Sequence, residues 1–140
     1  MDPATITRQI DLETPADVLW DLVADPDEMA NWLGDTVDVD VRPGGQGTVV
    51  DDGIVRHVVI EEVRESRQLS FTWWEHDDRS SASRVVFTVD PHGSGSRLTI
   101  SETLHHQSPR LSARASAAAA RWEVRALALW ACTVAAVSVR

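Results

Sequence analysis

Apolar residues alternate with polar ones through several stretches of the first hundred positions, whereas near the end Leu127, Trp130, Val134 and Val137 recur at three- and four-residue steps. Thr5 to Leu12 alternates, with Ile6, Arg8, Ile10 and Leu12 on one side and Thr7, Gln9 and Asp11 on the other, which is the period of a strand. Thr14-Pro15-Ala16-Asp17 then predicts a helix start, with Thr14 as N-cap, proline at the first position and an acid in the first turn. Val18, Leu19, Leu22 and Val23 supply its apolar face. Asp25-Pro26-Asp27-Glu28 repeats that grammar, with Glu28 placed for a capping box, and Gly34 closes a short second helix after Trp32-Leu33.

A long β region follows. Asp35 to Arg42 alternates strictly, Pro43-Gly44-Gly45-Gln46-Gly47 is a turn, and Thr48 to Asp51 resumes a strand. Asp52-Gly53 is a hairpin signal leading into the β-branched run Ile54 to Val63. Leu69 to Glu75, Ser83 to Val89 and Arg97 to Leu104 complete the region, separated by polar turns at residues 66–68, 76–81 and 91–95. From Ser108-Pro109 onward there is no glycine or further proline, and Leu127, Trp130, Val134 and Val137 recur at helical spacing. The pattern therefore predicts an α+β domain: a strand, two short helices, six strands and a long C-terminal helix. An antiparallel sheet of this size needs a cover on its apolar face, and the last helix is the only element long enough to provide one.

At 140 residues the chain fits a single domain over residues 1–140, and 43% hydrophobic with 25% charged residues is a globular balance. The net charge of −9, with 13 arginines and no lysine, works against nucleic-acid or anionic-membrane partners. Cys132 is the single cysteine, so no internal disulfide can form. The first residues carry neither a basic nor an apolar signal region, and Ala126 to Val139 is too short to span a bilayer, so a cytoplasmic location is expected.

The order of elements resembles the helix-grip superfamily that groups START, pollen-allergen and polyketide-cyclase proteins (SRPBCC). Several local patterns are similar to its bacterial branch related to the heat-shock-protein ATPase activator. These are Pro15-Ala16-Asp17-Val18-Leu19-Trp20, Asp25-Pro26 with Trp32, and Asp40-Val41-Arg42-Pro43-Gly44-Gly45. Leu69-Ser70-Phe71-Thr72-Trp73, Ser83 to Val89 and Gly95-Ser96-Arg97-Leu98-Thr99-Ile100 resemble its later strands. The likeness covers about residues 4–104 and weakens beyond, where the family's Gly-Trp pair is replaced by Arg121-Trp122. It implies a seven-stranded curved sheet wrapped around the C-terminal helix, with a cavity between them.

Candidate residues for that cavity are the aromatic and apolar side chains Trp32, Phe71, Trp73, Phe87, Ile100 and Trp122, each of which also suits a packed core. Polar residues on inward-facing parities are more informative, because an unpaired buried charge is costly. Glu75 continues the Leu69-Phe71-Trp73 face, Glu102 continues the Leu98-Ile100 face, and Arg56 shares a side with Val58 and Ile60. Either these three meet inside, where a carboxylate could also serve as general base, or the strand ends splay into solvent. The five histidines match no metal-ligand spacing, Cys132 has no activating neighbour, and the glycine-rich turn is followed by a strand instead of a phosphate-binding helix. No catalytic residue, metal or cofactor is assigned.

Ala126 to Val137 is apolar on nearly every side, although a helix lying on a sheet buries one stripe. Its outer face is therefore either a tolerated alanine-rich surface or a contact with another chain, a homodimer included. Three functions remain open: binding of a small hydrophobic or aromatic molecule, a cyclase or aromatase reaction using acid–base groups in the cavity, and a stress-related protein-interaction role. The eukaryotic activators that name the branch carry an additional N-terminal domain, so their function is not carried over.

Overall fold

The computed structural model describes residues 4–105 and 110–138. Strand β1 (Ala4–Leu12) is followed by helices α1 (Ala16–Ala24) and α2 (Pro26–Met29). Six strands come next: β2 (Thr36–Val39), β3 (Gln46–Asp51), β4 (Ile54–Arg64), β5 (Gln68–Glu75), β6 (Ser83–His92) and β7 (Gly95–Leu104). A single 3-10 turn, Arg79–Ser81, lies between β5 and β6, and helix α3 (Leu111–Ser138) ends the described chain. The strands form one antiparallel sheet in the order β1-β7-β6-β5-β4-β3-β2. Consecutive strands from β2 to β7 pair as hairpins, and β1 adds to the free edge of β7 with Ala4 opposite Leu104 and Leu12 opposite Ser96.

Local chemistry accounts for the turns. Asp52 and Gly53 both have positive φ, 51° and 76°, the pair of left-handed residues a tight two-residue hairpin requires. Gly47 is needed for a different reason: an added Cβ would lie 2.0 Å from the Asp38 carbonyl oxygen, so only glycine lets β2 and β3 approach there.

Three boundaries differ from the sequence pattern. Pro15, not Thr14, occupies the cap of α1, and the buried Thr14 hydroxyl has no partner among the described groups; its carbonyl instead accepts from the Ser96 hydroxyl at 2.6 Å. β2 stops at Val39, because Arg42 N–H donates to Asp40 and Gly45 N–H to Arg42, folding the chain before the alternation ends. Helix α2 ends at Met29, with residues 30–33 in turns instead of a helix running to Gly34, while its start is anchored as expected by the Asp25 side chain accepting from the Asp27 N–H at 2.9 Å.

The larger difference concerns α3. The stripe Leu127, Trp130 and Val134 faces outward, with 66%, 52% and 43% of each residue exposed. The sheet receives Trp122, Arg125, Ala126, Leu129 and Thr133 instead, also at helical spacing. His106 and the side chains of Ala136 and Val137 lie outside the described residues. Beneath α3 the core is continuous from Leu19 and Val23 of α1 through Phe71, Phe87 and Ile100 of the sheet to Leu129. No helix among the described residues is long and apolar enough to cross a membrane.

Candidate functional site

The packed core gives way, toward the other end of the same sheet face, to a cavity of about 390 Å3 between β4–β7 and the first half of α3. Strand register assembles its wall. Arg56 lies opposite Glu75, Val58 opposite Trp73, Trp73 opposite Ser83, and Ser83 opposite Leu104. Helix α3 closes the other side with Ala113, Ala117 and Ala118 together with Arg114, Arg121 and Arg125. Alanines there leave the volume open that longer side chains would fill.

Glu102 is 6% exposed, yet its carboxylate is well supplied with donors. One oxygen accepts from Trp73 Nε1 at 2.8 Å and from the Ser83 hydroxyl, and the other accepts from Trp122 Nε1 at 2.9 Å. A buried acid without such partners would cost several kcal/mol, roughly, so these donors are what permit it. The same bonds fix both indoles, which stack with centroids 6.0 Å apart and 22° between planes. Glu102 thus ties β7 to β5, β6 and α3 through one side chain.

Two buried arginines sit against this indole pair. The Arg56 guanidinium is 4.9 Å from the Trp73 ring centroid, and that of Arg125 is 5.2 Å from Trp73 and 4.5 Å from Trp122, within cation–π range. Arg125 donates through Nε to the Leu33 carbonyl at 3.1 Å and through Nη2 to Asp51 at 3.2 Å. Burial pushes its pKa down to about 10, with repulsion from Arg56 adding to the effect, and the group still carries its charge at neutral pH. Burial likewise lowers Arg56, followed by repulsion from Arg121. Arg56 Nη2 reaches Glu75 at 3.4 Å, and Arg121 approaches the same carboxylate oxygen at 3.8 Å.

Of the nine residues proposed from sequence, Arg56, Trp73, Glu75 and Glu102 line this cavity. Trp32, Phe71, Phe87, Ile100 and Trp122 do not; they are buried in the core. Trp32 packs against Phe87 at 5.4 Å and donates its N–H to the Leu22 carbonyl at 2.8 Å, so its polar atom is used inside the fold. Trp122 contributes indirectly, by holding Glu102. Trp74, which strand parity directs outward, stacks on His57 and Arg79 and also borders the cavity. The residues that sequence reasoning missed are the α3 arginines. Their signal was present: Arg114, Arg121 and Arg125 are spaced by seven and four residues, one face of a helix, with alanines in the first interval, and Arg110 lies just before α3.

Comparison with known proteins agrees with this architecture. A search of curated protein sequences gives no match. Among solved structures, Ms6760 from Mycobacterium smegmatis is similar with a TM-score of 0.79 at 22% identity, over 94% of this chain and 95% of that one. MLL2253 from Mesorhizobium loti is similar with a TM-score of 0.77 at 23% identity, over 91% and 94%. The solution structure of the Aha1 dimer from Colwellia psychrerythraea gives 0.73 at 12% identity, over 93% and 96%. At these identities the likeness concerns the fold: a curved seven-stranded antiparallel sheet gripping a C-terminal helix. The sequence itself matches the model of the activator of Hsp90 ATPase homolog 1-like proteins from residue 13 to residue 131, which takes in β2 to β7, both short helices and most of α3, and the chain belongs to that family.

Proposed function

We propose that this chain binds a small molecule with a hydrophobic or aromatic body in the cavity between β4–β7 and α3. The observation that carries the reading is the cavity of about 390 Å3, bordered by the Trp73 and Trp74 indoles and by alanines of α3. That volume is in the range of small-molecule sites, and polar groups fixed by their own hydrogen bonds suit ligand orientation. A binding role fits Glu102 better than proton transfer does. Both of its oxygens already accept hydrogen bonds from Trp73, Ser83 and Trp122, so it holds the wall in place. Native mass spectrometry of freshly purified protein, followed by thermal-shift titration with aromatic compounds, tests the reading. A retained ligand or a saturable rise in melting temperature is expected. Unliganded mass together with no shift across the series would refute it.

A second reading concerns the outer face of α3. Val124, Leu127 and Trp130 expose 68%, 66% and 52% of their surface along one side of the helix, a stripe suited to a second copy of the chain. The structurally similar Aha1 from Colwellia psychrerythraea is a dimer in solution. Sedimentation over a concentration series should show a dimer that Leu127→Glu converts to monomer. A wild-type monomer at every concentration would exclude this interface.

A further inference from the structure

We infer that the ligand of the α3 cavity carries an anionic group, recognised by Arg56, Arg114 and Arg121 beside an aromatic wall. The inference rests on the binding function proposed above and specifies its ligand class. The chain has a net charge of −9, yet its cavity wall holds five arginines against three carboxylates, Glu75, Asp78 and Glu102. Counting Asp51, which pairs with Arg125 from outside the lining, the arginines still outnumber the acids, five to four.

The acids are also committed. Glu102 is used by Trp73, Trp122 and Ser83, and Asp78 accepts from the N–H and hydroxyl of Ser80. Glu75 is shared between Arg56 and Arg121 at 3.4 and 3.8 Å, both long for charge-assisted hydrogen bonds. Donors are left over. Arg56 is 4% exposed, and its Nη1 is buried with no partner among the described groups. Arg114 Nε is in the same condition; Arg114 Nη2 donates to the Ser81 carbonyl at 3.4 Å and Asp78 interacts with the group electrostatically, but Arg114 forms no ion pair among the described residues. Unpaired buried guanidinium donors are costly, and a carboxylate or phosphate oxygen entering the cavity would satisfy them. Burial weakens the proton hold of Arg56 and Arg125, with repulsion from Arg121 adding at Arg56 and from Arg56 at Arg125, so an added negative charge would relieve a strain that the protein's own acids leave. The indole of Trp73 next to these cations suits a ligand whose anion is joined to a flat ring.

Isothermal titration with three probes of one shape tests this: 2-naphthoate, 2-naphthyl phosphate and the neutral 2-naphthamide. At least one anion should bind about tenfold or more tightly than the amide, with whichever anion is preferred identifying a carboxylate or phosphate site. The preference should shrink in Arg114→Gln, while amide binding stays unchanged. Arg114 is partly exposed, so this variant decides the question even if Arg56→Gln fails to fold. Equal or tighter binding of the amide would overturn the anionic inference and leave the cavity-binding function standing. An anion preference undiminished in Arg114→Gln would also overturn it, because the anion would then be held elsewhere. No binding of any probe to folded protein would overturn the inference, and joined to an unliganded native mass it would overturn the binding function as well.

Discussion

The two ends of the sheet's inner face are built from the same strands by opposite means. Along β4 the inward side chains run Ile60, Val58, Arg56; along β5 they run Leu69, Phe71, Trp73 and then Glu75; along β7 they run Leu98, Ile100, Glu102. At the apolar end, Phe87 is within 5.4 to 6.0 Å of Trp32, Phe71 and Trp122, centroid to centroid, and shape complementarity holds the elements together. At the other end the same alternation delivers charges, and helix α3 meets them with arginines and alanines across an open volume. Period-two patterning decides which face a residue occupies. Whether the space in front of it is filled depends on the element packed opposite.

If that contrast is right, substitutions should separate by end. Phe87→Ala, which empties the close-packed end, should cost about 3–5 kcal/mol in urea unfolding, from lost burial plus an unfilled cavity. A cost below about 1 kcal/mol would mean that this end is not close-packed. Glu102→Gln should cost less, about 1–3 kcal/mol. An amide keeps the shape but offers one acceptor oxygen, so either Trp73 or Trp122 loses its partner, and Arg56 and Arg125 lose a nearby negative charge. The near-ultraviolet circular dichroism of the stacked indoles should change with it. An unaltered spectrum would show that Glu102 does not position them.

Different parts of this arrangement were legible in the sequence to different degrees, for physical reasons. The order of strands and helices was readable because apolar period and turn residues are local properties; Asp52-Gly53 adopts the two positive φ angles its hairpin demands. Strand parity also directed Arg56, Glu75 and Glu102 to one face, and all three border the cavity. The inner stripe of α3 was not readable from hydrophobicity. Leu127 and Trp130 form the more apolar row, yet the row through Arg125 is buried, because Arg125 finds the Leu33 carbonyl, Asp51 and two indoles within reach. Those partners come from β3, β5, the segment after α2 and α3 itself, and their convergence is a tertiary property. The register shift between Ile60 and Glu62 is similar: an inserted residue in β4 that alternation alone does not reveal.

The smallest effect on stability should accompany the largest effect on binding, at the open end. Ala118 of α3 borders the cavity and is half-buried, so a larger side chain there has room to enter. Ala118→Trp should change the unfolding free energy by only about 0.5 kcal/mol, the order of the helix-propensity difference. An indole placed there would occupy much of the volume that a ring-bearing ligand needs, and saturable binding should be lost. The paired readouts make the comparison sharp, because the close-packed end has no position where added bulk would be so well tolerated. A variant that is strongly destabilised would mean the volume is not free to accept a side chain. A variant that remains stable and still binds the naphthyl probes with unchanged affinity would place their site away from α3, and with it the division between a structural end and a receiving end.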